Sequence, residues 1–162
     1  MAEFSRGSQL AIAVAAMTLL LAPPSFAEAP KAANTPTDGP PPLPAMVQWH
    51  TTTFGVQYAE ITVGKGPEPK EGETVIVHFK GWLSDGTMFE NSHLRDKPFG
   101  FPLGSGQVIR GWDEGIRGMR VGGTRRLIIP PDLGYGKQGI PGHVPPDSTL
   151  TFDIQLLHVV QK

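Results

Sequence analysis

The first residues to test for chemistry are five histidines: His50, His78, His93, His143 and His158. No two stand at a spacing that holds a metal, so no metal site is expected. His78 and His158 fall in strand-like stretches, where a surface or core role is the plainer reading. No serine lies in a nucleophile-elbow context. Cysteine is absent, which removes disulfides, zinc–thiolate sites and thiol catalysis together. Glu68, Glu71 and Glu73 crowd together, but Lys70 stands among them, and a solvated turn accounts for the group. Gly134-Tyr135-Gly136-Lys137-Gln138-Gly139 spells a dinucleotide fingerprint. That chemistry needs a helix N-terminus directly after the glycines, and Pro141, Pro145 and Pro146 forbid one. What remains is aromatic. Tyr135 sits between two glycines in a polar loop, where its ring has little to pack on. Phe79, Phe89, Phe99, Trp112 and Phe152 recur along the rest of the chain. For Phe89 and Phe152, taken singly, core packing is at least as good a reading as a site.

These residues need elements to carry them, and the periodicity supplies short strands. From Thr74 to Trp82, Val75, Val77 and Phe79 alternate with Ile76, His78 and Lys80, the period of a half-buried strand. Asp85-Gly86 is a hairpin signal, with Thr87 to Asn91 as the returning strand. Phe99 and Phe101 mark a further short strand, and Thr124 to Ile129 another, stopped by Pro130-Pro131. Leu150, Phe152, Ile154 and Leu156 alternate cleanly with Thr151, Asp153 and Gln155. One segment breaks the period. Val108, Trp112, Ile116 and Met119 line one face of a short helix, with Gly122-Gly123 as its expected end. The class is therefore α+β, an antiparallel sheet against one short helix. The stretch from Pro130 to Asp147 holds five prolines and four glycines, so it reads as a long loop. Loops of this length inside compact domains are usually functional.

Composition narrows the field. Hydrophobic residues make up 39% of the 162 positions, enough to bury a core and too many for a disordered chain. The net charge is −1, so there is no basic excess to grip phosphates and nucleic acid is not an expected partner. The N-terminus reads as an address. Arg6 precedes an apolar run from Leu10 to Ala22, which Pro23-Pro24 breaks before the small-residue site Ser25-Phe26-Ala27. That order is a secretory signal, expected over residues 1–27. The run is 13 residues long, short of the roughly 20 that span a bilayer, so no membrane association is expected after cleavage. Residues 28–48, with Pro30, Pro36, Pro40, Pro41, Pro42 and Pro44, read as an extended linker. Residues 49–162 read as one globular domain. The protein is expected to be exported, to a bacterial periplasm or beyond.

Several strings appear together in order. Val75-Ile76-Val77-His78-Phe79-Lys80-Gly81 is followed by Asp85-Gly86, Phe89-Glu90-Asn91-Ser92 and Pro98-Phe99-Gly100-Phe101. Next come Val108-Ile109-Arg110-Gly111-Trp112 and Pro131-Asp132-Leu133-Gly134-Tyr135-Gly136. Ile140-Pro141, Val144-Pro145-Pro146 and Leu150-Thr151-Phe152-Asp153 complete the set. The ordered set, over roughly residues 50–162, resembles the FK506-binding family of peptidyl-prolyl cis–trans isomerases. The resemblance implies a substrate pocket lined by Phe79, Phe89, Glu90, Phe99, Val108, Ile109, Trp112, Tyr135, Ile140 and Phe152, with Trp112 as floor. It implies that the Ile109 N–H and the Tyr135 hydroxyl donate to substrate carbonyls, and that Glu90 belongs with them. Phe79 stands where the family usually has Tyr, Glu90 where it has Asp, and Ile140 where it often has His. Arg95 is open between pairing with Glu90 and ordinary solvation.

An isomerase of this kind makes and breaks no bond, and the resemblance implies no cofactor. Its expected partners are proline-containing polypeptides, with FK506- and rapamycin-type macrolides as inhibitors. A monomer is expected. The alternative is a catalytically weak module of the same fold that binds a partner or an unfolded chain, as Phe79 and Glu90 would allow.

Overall fold

The computed structural model describes residues 39–161. The expected signal, and the linker up to residue 38, lie outside the described residues. Seven strands form one antiparallel sheet: β1 (Trp49–Thr51), β2 (Gln57–Thr62), β3 (Thr74–Leu83), β4 (Met88–Asn91), β5 (Phe99–Pro102), β6 (Thr124–Ile129) and β7 (Leu150–Val160). The order is β1-β2-β6-β7-β3-β4, with β5 also on β3. The single α-helix among the described residues, α1 (Arg110–Ile116), packs on one face.

The two longest strands carry the alternation read from the sequence. In β3, Val75, Val77 and Phe79 are buried, and in β7 so are Leu150, Phe152, Ile154 and Leu156. They pair in register, Phe79 opposite Ile154 and Gly81 opposite Phe152. Gly81 is there for space: a Cβ would stand 2.8 Å from Phe152 Cε1 and 2.9 Å from Phe89 Cζ, well inside contact distance. The Asp85-Gly86 turn closes as expected. Gly86 N–H donates to Leu83 O at 3.0 Å, and Leu83 N–H to Thr87 O at 2.8 Å. Asp85 Oδ1 accepts from Thr87 N at 2.8 Å, and these bonds from Thr87 hold the Asp85 carboxyl below its ordinary range.

The helix is shorter than its apolar spacing predicts. It ends at Ile116 rather than at Gly122-Gly123, because Arg117 turns extended (φ −54°, ψ 137°). Arg125 from β6 takes over the freed carbonyls, donating from Nη1 to Gly115 O at 2.7 Å and to Arg117 O at 2.8 Å. Its own charge is met by Glu60 and by the Tyr58 ring, 4.4 Å from Cζ to centroid. Met119 remains in the core, held outside the helix by its N–H on Ile116 O at 3.0 Å.

The outer edge of β3 is shared. Thr74–Val77 pair with β5, and Lys80–Trp82 with β4. His78 and Phe79 fall in the gap, and a 3₁₀ turn, η1 (Ser92–Arg95), fills it. Ser92 Oγ accepts from Phe79 N at 2.8 Å and donates to Phe79 O at 3.2 Å. One hydroxyl thus replaces a strand partner. The long loop 130–147 is not wholly irregular: it contains a second 3₁₀ turn, η2 (Pro131–Leu133), and a bridge between Ile140 and Val144.

Candidate active site

The aromatic residues converge on Trp112, which α1 delivers fully buried to the middle of the core. Its indole meets Phe152 edge to face, 5.3 Å between centroids at 88°, and Phe79 at 4.7 Å and 79°. Phe99 lies 6.3 Å away and Phe101 5.8 Å. Phe89 reaches the group through Phe152, at 5.6 Å and 80°. Edge-to-face contacts of this kind each add about 0.5–1.5 kcal/mol beyond burial, so the rings hold one another in place. Val108 and Ile140 belong to the same buried cluster, and Ile109 and Tyr135 pack against it. Nine of the ten residues singled out in the sequence are in or against this cluster, and Glu90 is the polar tenth.

Two polar atoms in the cluster are buried with no hydrogen-bond partner: Trp112 Nε1 and the Tyr135 hydroxyl. An unmet buried donor costs about 1–3 kcal/mol, so such groups mark a place where a ligand's acceptors belong. Ile109 N–H donates to no backbone carbonyl among the described residues. Its carbonyl, by contrast, is used: it accepts from Trp112 N at 2.9 Å and starts the helix. The loop before it is anchored by Asp113, whose two carboxylate oxygens accept from Gly104 N at 2.9 Å and Gly106 N at 3.1 Å.

Glu90 enters from β4, opposite Gly81, and is buried. Its Oε1 accepts from Arg95 Nη2 and from Asn91 N. The choice left open for Arg95 is therefore decided for the ion pair. Glu90 and Tyr135 share one electrostatic environment. Burial raises the Tyr135 phenol far above its ordinary range, and the Glu90 charge raises it further. At neutral pH the phenol is a donor in an apolar setting.

Sequence reasoning missed two members. Phe101 stacks on Phe99 at 5.5 Å and 21° and backs the indole. The signal was available, since residues two apart on a strand share a face. Ser92 carried no local signal, because its role exists only where two ladders leave a gap.

The sequence pattern of the FKBP-type peptidyl-prolyl cis-trans isomerases matches residues 66–157, more than half of the chain. This protein belongs to that family. It is 53% identical over 107 residues to peptidyl-prolyl cis-trans isomerase Fkbp12 of Drosophila melanogaster, covering 65% of this chain and 99% of that one. It is 48% identical over 109 residues to the FKBP-type isomerase FkpA of Escherichia coli strain K12, covering 67% of this chain and 39% of FkpA. The crystal structure of FkpA superposes with a TM-score of 0.64 at 46% identity, over 69% of this chain and 51% of that one. AtFKBP13 superposes with a TM-score of 0.65 at 37% identity, over 68% and 98%. The expectation of an isomerase with an FKBP-like α+β fold is borne out. Among the described residues no helix is long and apolar enough to cross a membrane.

Proposed function

We propose that the cluster around Trp112 is the substrate pocket, and that the chain uses it to rotate Xaa-Pro bonds in exported polypeptides. The observation that carries this reading is the pair of buried, unpartnered donors, Tyr135 hydroxyl and Trp112 Nε1, beside an aromatic wall.

The chemistry needs little more. Amide resonance sets a rotation barrier of about 18–20 kcal/mol, while the two isomers of an Xaa-Pro bond differ by only about 0.5–1 kcal/mol. The catalyst has to favour the twisted amide over the planar one. Twisting ends the resonance, so the carbonyl sheds negative charge and the amide grows less polar. A dry aromatic wall of Phe79, Phe99, Trp112 and Phe152 holds that state better than water does. Ile109 N–H and the Tyr135 hydroxyl fix the neighbouring carbonyls, so the proline ring lies on the indole while the bond turns. A millionfold acceleration requires only about 8 kcal/mol. The same surface accepts FK506- and rapamycin-type macrolides. The charged, apolar and small-residue order of residues 1–27 supports export, and the domain works as a monomer.

The test pairs two measurements. A protease-coupled assay on a proline peptide should show acceleration, and rapamycin should bind in calorimetric titration. Trp112→Leu should weaken both while the fold stands, through loss of about 1–3 kcal/mol of apolar contact. Unchanged affinity in a folded variant overturns the pocket. Binding without acceleration would instead establish the weak-activity module that Phe79, with no phenol to offer Glu90, makes the second reading.

A further inference from the structure

His78 and His93 stack face to face, 4.3 Å between ring centroids and 20° between planes. His78 is on β3, immediately before Phe79. His93 is on η1, two residues before Arg95. The stack therefore joins the strand that carries a wall of the pocket to the turn that delivers Arg95 to Glu90. We propose that His93 is a titratable positioning residue, whose protonation breaks the stack, lifts η1 from β3 and disengages Arg95 from Glu90. This rests on the pocket reading above for its effect on ligand.

The two rings differ in their contacts. His78 Nδ1 lies 2.9 Å from Ser92 Oγ. If Nδ1 carries the proton it donates to Ser92, whose hydroxyl remains free to donate to Phe79 O. Ser92 is then fully satisfied, accepting from Phe79 N and His78 and donating to Phe79 O. Among the described residues the His93 ring has no such partner. Protonated, it would be a cation against the face of His78, with Lys80 on the same strand as His78. His93 is exposed, yet partial desolvation first, then the charges of His78 and Lys80, hold its pKa below its ordinary value. The surroundings offer little relief. From β7, Gln155 stands opposite His78, and Asp153, opposite Lys80, is clasped by Arg126. From its own turn come the cationic Arg95, engaged with Glu90, and the exposed Asp96 and Lys97. Cationic groups outnumber unengaged carboxylates here, so protonation of His93 is relieved by separation of the rings.

The sign follows from the lowered pKa. An unfolded or detached His93 binds its proton near pH 6.5 and the stacked one only below that. The stacked arrangement is thus fully favoured above about pH 6.5 and loses ground as pH falls through that value. A protein exported to a compartment that acidifies would meet this range.

The experiment uses the full chain and compares rapamycin affinity at about pH 7.5 and about pH 5, where histidine titrates. The parent should bind several-fold more weakly at the lower pH. His93→Phe keeps an aromatic face on His78 without a proton to gain, and its ratio should be near one. A flat parent profile, or a drop that survives in His93→Phe, overturns the proposal. Should Trp112→Leu bind rapamycin like the parent, the pocket reading fails separately. The latch is then judged by NMR alone: the Arg95 Nε–H resonance must shift with the His93 ring titration, and a stationary Arg95 signal sinks it.

Discussion

The Tyr135 hydroxyl combines three properties that rarely coincide: it is buried, it has no partner, and it faces a buried carboxylate's field. Each makes the phenol harder to ionise. Its folded pKa lies above the unfolded value of about 10. The unfolded chain therefore loses this proton first, and the group's contribution to stability falls as pH climbs past about 10. As a donor, Tyr135 should persist where an ordinary phenol has already ionised. Tyr135→Phe should leave the fold intact, because the ring stays, and should reduce isomerase activity by one hydrogen bond, about 0.5–1.5 kcal/mol or a few-fold in rate. A peptide assay on the two proteins checks this. Equal rates would show that the hydroxyl meets no substrate carbonyl. This residue stood out in the sequence as an aromatic between two glycines with little nearby to pack on; the fold nonetheless seats its ring against the buried cluster, which no local signal showed. Glu90 was legible only through the ordered motifs. Its partner Arg95 was left open between pairing and solvation, since five residues of sequence do not say which way a turn folds.

Strands β3 to β7 were legible element by element, because a sheet with one buried face writes its period into the sequence; β1 and β2 were not, since β1 is exposed throughout and β2 buries only Ala59. The helix was legible in kind and misjudged in length. Its apolar positions continue to Met119, but continuity of a stripe does not require continuity of a helix: Arg125, from a strand elsewhere in the chain, ends it by claiming its last carbonyls. The closeness of α1 to β6 was invisible in the same way. A Cβ on Gly111 would stand 2.4 Å from Ile129 Cγ2, 2.7 Å from Cδ1 and 2.9 Å from Cγ1. Three atoms of one β-branched side chain cannot all withdraw by a change of rotamer. Gly111→Ala gains up to about 1 kcal/mol in helix propensity, against an overpacking cost of about 1–3 kcal/mol. The net should be destabilising, read as a lower urea midpoint with an unchanged slope. It should also weaken rapamycin, because the next residue is Trp112. A more stable Gly111→Ala would mean that α1 rides further from the sheet than this packing has it.

At the scale of the whole molecule, the boundary between linker and domain matters most. The proline-rich stretch reads as a spacer that buries nothing, yet its last residues are tied to the sheet. Arg126 Nη1 donates to Pro41 O at 2.7 Å. The register puts Ala59, Arg126, Asp153 and Lys80 in one row across β2, β6, β7 and β3, on the face away from Trp112. Arg126 is only 5% exposed and its other nitrogens are committed to Asp153. Proline can serve here because only its carbonyl is asked for. The main cluster around Trp112 lies on the other face, although Ala59 and Trp82 are buried on this one, and the Drosophila relative matches over 107 residues that make up 99% of its length. A chain cut before Met46 should therefore remain soluble, folded, monomeric and active. It should nonetheless be less stable than one cut before Gly39, since Arg126 gives up a charged hydrogen bond worth about 1.5–3 kcal/mol when kept from water, and less once water replaces Pro41. Urea unfolding of the two truncated chains, each also carrying Arg126→Leu, isolates the contact as a double-mutant cycle. The gap between the truncated chains should close when Arg126 is gone. A gap that persists would place the stabilisation elsewhere in residues 39–45, and an unfolded or dimeric short chain would show that the proline-rich stretch belongs to the domain.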